Sequence, residues 1–347
     1  MKKLRKFIND IFYLNDLKKI KDEEKVIYML TPRHGNLGDQ MISVAIEKIL
    51  SDIFVSKKVF EIEEEVYLKR KEKIKKYINK KDVIILHGGG NIGDVWLGAE
   101  QIRRSVLEEY PDNKIIIMPQ TITFKSEEEK KRSVDIYSKV KDLSIITREE
   151  YSYRIAEEIF KNSKIYLTPD SVLYLEDYFD ERFNDKREGV LFLLRKDHEK
   201  TISSNISENI EVILKKLDLN YNFSDTVIRS KGKINKKTRI NFCKKLIEEM
   251  SNKKLIITDR LHGMILSVIT NTPVIVFGSS TKKTIGSLKW IEHLDYVSFI
   301  KDENDLEHLE KEIKRLHSIK TVKKDNLIKE LMKKEFIKIF KEKKCKD

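Results

Sequence analysis

Apolar runs and polar stretches alternate regularly along the first half of the chain. Short runs of branched apolar residues are typical of buried strands, and longer segments with apolar positions at helical spacing separate them. Strands are predicted at 26–30, 59–60, 83–86, 115–118, 144–146 and 165–167, and helices at 39–50, 63–78, 94–110, 127–140 and 149–160. Short apolar strands between helices predict a parallel sheet covered on both faces.

The pattern pauses over the polar stretch 180–189 and resumes with an apolar strand at 190–194. We place a linker at this pause. The sequence thus predicts an N-terminal Rossmann-like domain over 1–180, a second over 181–320 and an amphipathic C-terminal helix over 321–347. The predicted fold class is α/β, with two Rossmann-like domains whose parallel sheets face across a cleft. A return of the last helix to the first domain is left open.

Charge and cysteine content narrow the functional class. The 347 residues carry a net charge of +13, mostly from lysines on helical segments. No arginine–aromatic cluster or zinc-ligand spacing accompanies the lysines, so a solvated surface is favoured over nucleic-acid binding. The two cysteines, Cys243 and Cys345, are far apart, which predicts a reducing, cytoplasmic location. No metal or cofactor is expected.

The N-terminal segment, Met1–Ile20, is basic and has apolar residues near helical spacing. Two interpretations remain open. The helix packs against its own domain, or it lies on the anionic inner face of a membrane.

The segment Thr258-Asp259-Arg260-Leu261-His262-Gly263 is the strongest candidate site. It lies between a predicted strand, 255–257, and a predicted helix, 264–269. It therefore falls at the carboxyl end of a strand, where open α/β sheets bind ligands. Arg260 and His262 suit a small anionic substrate that also needs a proton. The alternative is that the arginine pairs with a carboxylate and the histidine packs.

Two glycine-rich loops in the first half share the pattern GN[LI]GD, at 35–39 and 90–94. Glycine lets the backbone turn sharply and approach a ligand. Asp39 and Asp94 are expected to cap the helices that follow. The glycines of 88–93 also fit GxGxxG, which is weak evidence for a dinucleotide here because the match follows a late strand. No GxxxxGK[ST] loop occurs.

Polar residues follow several other predicted strands. Gln120 either holds a sugar hydroxyl or ties two loops together, and Arg148 and Asp170 are expected to pair across neighbouring strand ends. Arg195 follows the strand 190–194, so it and Arg260 are candidates to grip one anion. Lys289, after an expected helix start at 286–288, either completes the anion pocket or lies on a surface turn.

In these motifs the chain resembles the polysaccharide pyruvyl transferase family. The matches, in the family's order, are HGNLGDQ (34–40), HGGGNIGD (87–94), PQT (119–121), TRE (147–149), TPD (168–170), LR (194–195) and TDRLHG (258–263). The resemblance implies a GT-B-like fold and transfer of the pyruvyl group of phosphoenolpyruvate onto a sugar or a lipid-linked oligosaccharide, as a ketal.

The resemblance also implies roles for particular residues. Arg195, Arg260 and His262 would hold phosphoenolpyruvate, with His262 as the first choice of acid and Lys289 as a further contact. The glycine loops would face the acceptor sugar. The candidate acceptor contacts are Asn36, Asp39, Asn91, Asp94 and Gln120, and the candidate general bases are Asp94 and Asp39.

Two alternatives stay open at this point. A GT-B glycosyltransferase that uses a sugar nucleotide would share the architecture and also need basic groups. A non-enzymatic relative is less favoured, since Arg195, Arg260 and His262 are all present. The sequence does not define the oligomeric state.

Overall fold

The computed structural model describes residues 14–180, 186–195, 204–228, 234–278, 282–322 and 327–342. Within them, two parallel sheets divide the strands of the two halves of the chain. The predicted pair of Rossmann-like sheets is therefore confirmed, and the arrangement is GT-B-like.

The first sheet contains the strands of the N-terminal half. They are β1 (Lys25–Thr31), β2 (Lys58–Glu63), β3 (Val83–Leu86), β4 (Gly89–Ile92), β5 (Lys114–Ile122), β6 (Asp142–Thr147) and β7 (Lys164–Leu167). The order is β2-β1-β3-β5-β6-β7, with β4 beside β5, and all of these pairings are parallel. Every residue of β1 is buried, as expected for a strand covered on both faces.

Helices alternate with these strands. They are α1 (Leu37–Ile53), α2 (Glu64–Lys75), α3 (Leu97–Glu109), α4 (Glu127–Tyr137) and α5 (Glu150–Ile159), with 3-10 turns at Asp94–Trp96 and Ser171–Leu175. The prediction that 119–121 follow a strand is wrong in detail, because β5 continues through Ile122.

The second sheet is smaller. Its strands are β8 (Val190–Leu193), β9 (Tyr221–Phe223), β10 (Leu255–Thr258), β11 (Val274–Phe277) and β12 (Val297–Ile300), ordered β12-β11-β10-β8-β9 and paired in parallel. The helices of this half are α6 (Ser204–Lys216), α7 (Lys236–Ser251), α8 (Leu261–Ile269), α9 (Lys282–Leu288) and α10 (Leu306–His317).

The last helix, α11 (Leu327–Lys341), returns to the first domain. The Lys114 ammonium at the start of β5 donates to the Phe340 carbonyl over 3.1 Å. The Phe340 and Phe54 rings lie 5.3 Å apart between centroids. Aromatic pairs at this spacing add to the burial of apolar area. The C-terminal helix thus crosses back over the boundary between the two halves.

A single apolar cluster joins the halves at the base of the site. Met41 of α1 and Ile265 of α8 are buried in the same cluster. Burial of side chains of this size stabilises a fold by roughly 1.5–3 kcal/mol each. The helix that carries Gly38, α1, and the helix that carries His262, α8, therefore pack against the same apolar cluster.

Most of the basic N-terminal segment lies outside the described residues. The part that is described contributes Leu14, Leu17 and Ile20 to the apolar core of the first domain. These residues behave as the docked-helix interpretation expects. No helix in the described ranges has the length and apolar character needed to cross a bilayer.

Candidate functional site

The segment 258–263 forms the turn from β10 into α8. The Thr258 hydroxyl donates to the Leu193 carbonyl over 2.7 Å and accepts from the Arg260 amide over 3.0 Å. These two hydrogen bonds of the Thr258 hydroxyl hold the turn against the neighbouring strand β8. Because α8 begins at Leu261, His262 lies in its first turn.

The ends of β8 and β10 lie side by side, and they carry the two candidate arginines. Leu193 pairs with Thr258, and the Arg195 amide donates to the Asp259 carboxylate over 2.8 Å. Burial raises the pKa of Asp259, and the Arg195 amide and the positive Arg260 oppose that rise. The Arg195 backbone is therefore tied to the turn that carries Arg260.

Arg260 pairs with a carboxylate, as the alternative interpretation of the sequence expected, although the sequence did not identify Asp225 as the partner. Its Nη2 lies 2.8 Å from Asp225 Oδ1, and its side chain is only 8% exposed. Asp225 follows β9, a three-residue strand that the hydrophobic pattern did not reveal. The ion pair fixes one side of the guanidinium plane.

His262 reaches across to the first domain. A Cβ on Gly38 would stand 2.2 Å from His262 Nδ1, so the imidazole packs directly against that backbone. On its other side, His262 Nε2 lies 3.8 Å from Asp170 Oδ2. The catalytic candidate of the second half thus lies between two motifs of the first half, GNLGD and TPD.

Arg148 and Asp170 form the ion pair that the sequence predicted. The Arg148 Nη1 donates to Asp170 Oδ2 over 2.7 Å, and both side chains are at least 97% buried. The Arg148 Nε donates to the Thr121 hydroxyl over 2.9 Å, and the Trp290 indole donates to the Arg148 carbonyl over 3.0 Å. Arg148, Asp170 and His262 therefore form one continuous row.

A second cationic pair lies over the other glycine loop. A Cβ on Gly90 would stand 2.8 Å from Arg148 Nη2 and 3.6 Å from Lys283 Nζ. Only glycine leaves room for both side chains. Lys283 lies on α9, and no motif in the sequence singled it out.

Lys289 lies in an exposed turn, which is one of the two positions that the sequence left open for it. The expected helix start is wrong, because the segment 286–288 ends α9. Gly286 lies against the Glu149 side chain, which a Cβ would approach to 2.6 Å. The surface-turn interpretation therefore fits Lys289.

Asn36 and Asp39 form a small polar unit at the start of α1. Asn36 caps the helix, since its Oδ1 accepts the Gly38 amide over 3.0 Å, while its Nδ2 donates to Asp39 Oδ2 over 2.8 Å. The prediction that Asp39 caps the helix is wrong, because the Asn36 side chain is the one that accepts the free Gly38 amide. Asp39 keeps 29% of its side chain exposed in the first turn.

Gln120 and Asn91 hold two loops together. Gln120 is fully buried, and its Nε2 donates to the His87 carbonyl over 2.9 Å and to Asn91 Oδ1 over 3.1 Å. The Asn91 amide donates back to Gln120 Oε1 over 3.1 Å, and Arg103 also binds the Asn91 side chain. Of the two roles left open for Gln120, the structure shows the loop-tying one.

Asp94 does not cap the helix that follows it. Its two carboxylate oxygens accept the amides of Lys125 and Ser126, each over 2.7 Å. These contacts anchor the loop before α4, and Asp94 itself starts a 3-10 turn. The capping prediction is corrected here, and the arrangement favours a structural role over that of a general base.

Backbone hydrogen bonds connect the first glycine loop, 35–39, to the second domain. Asn36 and Val227 form an antiparallel bridge, the Leu37 amide donates to the Thr226 carbonyl over 2.7 Å, and the Ile228 amide donates to the Gly35 carbonyl over 2.8 Å. The loop that contacts His262 is consequently held by both halves of the molecule.

Arg239 of α7 forms a buried cross-domain cluster behind this loop. Its guanidinium donates to Glu61 Oε1 over 2.8 Å, to Gln40 Oε1 over 2.9 Å and to Glu47 Oε1 over 3.2 Å. The side-chain Nε2 of Gln40 in turn donates to the His34 carbonyl over 2.9 Å. Arg239 thus supports the loop that leads to Gly38.

His87 supports the second glycine loop as a neutral side chain. Its Nδ1 lies 2.7 Å from the Tyr28 hydroxyl. Burial, with a smaller contribution from the positive Arg239, lowers the pKa of His87 to about 3. Unfolded histidine titrates near pH 6.5. The unfolded state therefore takes up this proton first, and stability is lost as the pH falls from about 6.5 toward 3.

His87→Gln is expected to make the free energy of unfolding less dependent on pH between about 6.5 and 3. Titration of His87 lowers the free energy of unfolding of the wild type by at most about 1.4 kcal/mol per pH unit. Urea denaturation at a series of pH values measures the slope. His34→Gln is the matched control, since the His34 side chain is 58% exposed. An unchanged slope in the His87 variant would show that this histidine is not the buried neutral group.

Within the described residues, no cluster of histidine, cysteine, aspartate and glutamate side chains has the geometry to hold a metal ion. The polar groups of the site are instead arginines, a lysine, an imidazole and carboxylates. This set suits the binding of a small anion together with proton transfer.

Comparisons with known proteins agree with this chemistry. The model of a family described as polysaccharide pyruvyl transferase matches residues 36–281. General stress protein 30 of Bacillus subtilis is 35% identical over 302 residues, which cover 86% of each chain. Pyruvyl transferase 1 of Schizosaccharomyces pombe is 26% identical over 303 residues, which cover 81% of this chain and 74% of the yeast protein.

Among solved structures, a functionally uncharacterized protein of Klebsiella pneumoniae has a TM-score of 0.57 at 19% identity. The match covers 86% of this chain and 98% of the Klebsiella chain. At this identity the likeness concerns the fold.

Proposed function

The chain belongs to the polysaccharide pyruvyl transferase family, and from this we propose that it moves the pyruvyl group of phosphoenolpyruvate onto a sugar of a cell-surface polysaccharide precursor. The product is a cyclic pyruvate ketal, and inorganic phosphate is released. The observation that carries the proposal is the position of His262. It lies beside Arg260 on its own turn and against Gly38 and Asp170 of the other domain.

Phosphoenolpyruvate carries a phosphate and a carboxylate on three carbons, so its site needs cations on more than one side. Arg195 and Arg260 are the proposed donor ligands at the edge of the second sheet. Arg148 and Lys283 both lie over Gly90 and are proposed as a second group of cations. Arginine's planar fork suits either anionic group.

In the proposed reaction, His262 protonates the vinyl carbon of phosphoenolpyruvate, and cationic character develops at the carbon that carries the phosphate. A sugar hydroxyl attacks this carbon and loses its proton to a base. The C–O bond to the phosphate then breaks, and the phosphate leaves with the bonding electrons. A second hydroxyl of the same sugar bonds to the same carbon, which closes the ketal, and passes its proton to the released phosphate. Asp39 is the proposed base, because it lies next to Gly38 and remains partly exposed, whereas both Asp94 oxygens accept backbone amides.

The acceptor is proposed to bind on the first-domain side, at the Asn36–Asp39 loop. A sugar or a lipid-linked oligosaccharide would serve, and the second would bring the protein to the inner face of a membrane. No cofactor is required, since phosphoenolpyruvate itself carries the group that is transferred.

Incubation with phosphoenolpyruvate and a panel of glycosides tests the activity. Mass spectrometry should detect a pyruvate ketal on at least one glycoside, and phosphate should appear in equal amount. A parallel thermal-shift panel should show stabilisation by phosphoenolpyruvate. Stabilisation by a UDP- or GDP-sugar instead, without any ketal product, would favour a glycosyltransferase and refute the proposal.

Arg260→Lys is expected to weaken the use of phosphoenolpyruvate by roughly 10- to 100-fold in kcat/KM. Lysine keeps the charge but loses the planar fork, and hydrogen bonds to charged groups contribute about 1.5–3 kcal/mol each. Steady-state kinetics with varied phosphoenolpyruvate measures the change.

Arg187→Lys is the matched control for this substitution. Arg187 also lies in the second half and donates to the Asn271 and Thr270 carbonyls, away from the turn. Its replacement should leave kcat/KM near the wild-type value. If the two variants behaved alike, Arg260 would have no particular role in donor binding.

A further inference from the structure

Asp170 is the carboxylate of the first domain that faces the imidazole of the second. It lies in the loop after β7 and is 1% exposed. Its Oδ1 accepts the Val172 amide over 3.0 Å, which fixes the rotation of the carboxylate. Its Oδ2 accepts Arg148 Nη1 over 2.7 Å and lies 3.8 Å from His262 Nε2. One oxygen is therefore shared between an arginine and the histidine.

This environment keeps Asp170 ionised. Burial alone would raise the pKa of Asp170, but the nearby His262, the charge of Arg148 and the Val172 amide hold it well below its usual range. A buried carboxylate needs compensation by close cations and hydrogen bonds. The side chain thus presents a negative charge to His262 at neutral pH.

The two ring nitrogens of His262 have different surroundings. Nε2 is buried, lies 3.8 Å from Asp170 Oδ2 and has no hydrogen-bond partner among the described residues, whereas Nδ1 packs against the Gly38 backbone. A carboxylate close to one nitrogen of an imidazole orients the ring and favours the protonated form. Asp170 is therefore placed to act on the imidazole from the Nε2 side.

Other charged groups lie on the elements packed against His262. They are Arg260 on its own turn, Asp39 in the first turn of α1, Arg148 at the end of β6 and Lys283 on α9. Cys243 of α7 is buried, and burial raises its pKa to about 12, so it remains a neutral thiol. Among these groups, Asp170 is the buried anion whose oxygen is directed at the imidazole.

We infer that Asp170 is a positioning residue that orients the His262 imidazole and stabilises the protonated form that donates the proton. The inference rests on the proposed role of His262 as the acid. It assigns to the first domain a part in the proton transfer. The second domain supplies the acid, His262, and the first domain supplies the Asp170 carboxylate that stabilises its protonated form.

Asp170→Asn tests this assignment, because asparagine keeps the acceptor for the Val172 amide and removes the charge. It also replaces the oxygen that accepts Arg148 by an NH2 group, an effect that the Arg148→Gln background below separates. A general acid is active while protonated, so activity falls as the pH rises. We expect this alkaline limb of the pH–rate profile to move about one pH unit lower in the variant. The titration midpoint of the His262 resonance, assigned by its absence in His262→Gln and followed by NMR without substrates, should move in the same direction.

Glu149→Gln is the matched control. Glu149 is also a buried carboxylate beside Arg148, with Oε2 3.7 Å from Arg148 Nε, but it hydrogen-bonds Thr121 and Ser152, not His262. It should leave both the alkaline limb and the midpoint in place. If Glu149→Gln moved them as far as Asp170→Asn does, the effect would come from Arg148 and the inference would be wrong.

Two further measurements keep the inference separate from folding and from the proposed function. If Asp170→Asn does not fold, the substitution is repeated in an Arg148→Gln background, where no arginine is left unpaired, and the midpoint is compared with that of Arg148→Gln alone. An unmoved midpoint there overturns the inference. Absence of ketal formation by the wild-type chain would refute the proposed function, whereas the NMR midpoint would still decide whether Asp170 controls the imidazole.

Discussion

Replacing His262 with glutamine is expected to lower turnover with phosphoenolpyruvate by about 100- to 10,000-fold, the range typical of a lost general acid. Glutamine retains much of the size of the side chain and a hydrogen-bond donor, but it has no transferable proton. Its neighbours, the Gly38 backbone and the Asp170 carboxylate, can keep an uncharged donor in place. The fold should therefore survive while the protonation step fails.

Phosphate release and ketal formation, measured together, check this result. His308→Gln is the control, since His308 is exposed on α10, far along the chain from the turn. The melting temperature of both variants should stay close to that of the wild type. Near-normal turnover in the His262 variant would show that another group donates the proton.

Arg239→Met is expected to cost about 3–5 kcal/mol in the free energy of unfolding, the range for removing one partner of a buried ion pair. Arg239 is 1% exposed, and Glu61, which it binds, is equally buried. Methionine leaves that carboxylate with Lys236 as its remaining cation, 3.4 Å from Glu61 Oε2 and 45% exposed, and it also leaves the Gln40 side chain without a donor. Urea denaturation measures the loss.

Two comparisons make the Arg239 result specific. Arg315→Met removes a more exposed pair with Glu312, and such surface pairs contribute about 0–1 kcal/mol. The double variant Arg239→Met, Glu61→Gln should recover part of the loss, because no unpaired buried charge remains. If the single variant were as stable as the wild type, the cluster would not hold the two domains together.

Hydrophobic periodicity predicted most of the fold because most strands are continuous apolar runs. β3 has the predicted bounds, and α1 begins two residues before its predicted start. Strands β4, β9 and β12 were not predicted, and for the first two the reason is physical. β4 is Gly89–Ile92, which is rich in glycine, and β9 is only three residues long. Neither carries an apolar run, and pairing with β5 and β8 stabilises them instead.

The site could be predicted only in part, since sequence motifs do not specify which polar atoms will already be occupied. The Arg148–Asp170 pair followed from two neighbouring strand ends. Both Asp94 oxygens accept backbone amides, and Gln120 hydrogen-bonds two positions of a neighbouring loop; these contacts join residues 29 to 33 apart in sequence. Lys283 lies on a short helix without a motif, so only the folded chain brings it to Gly90.

The contact between Gly38 and His262 has a consequence for engineering this enzyme. Attempts to change the acceptor would naturally exchange whole N-terminal domains between relatives. Such a chimera would replace both the Gly38 backbone, against which the His262 imidazole packs, and the Asp170 carboxylate beside it. If the new residues did not fit, His262 of the recipient would lose its position. Exchanges should therefore keep the recipient's residues at 38 and 170 and limit the graft to the outer part of the acceptor loops.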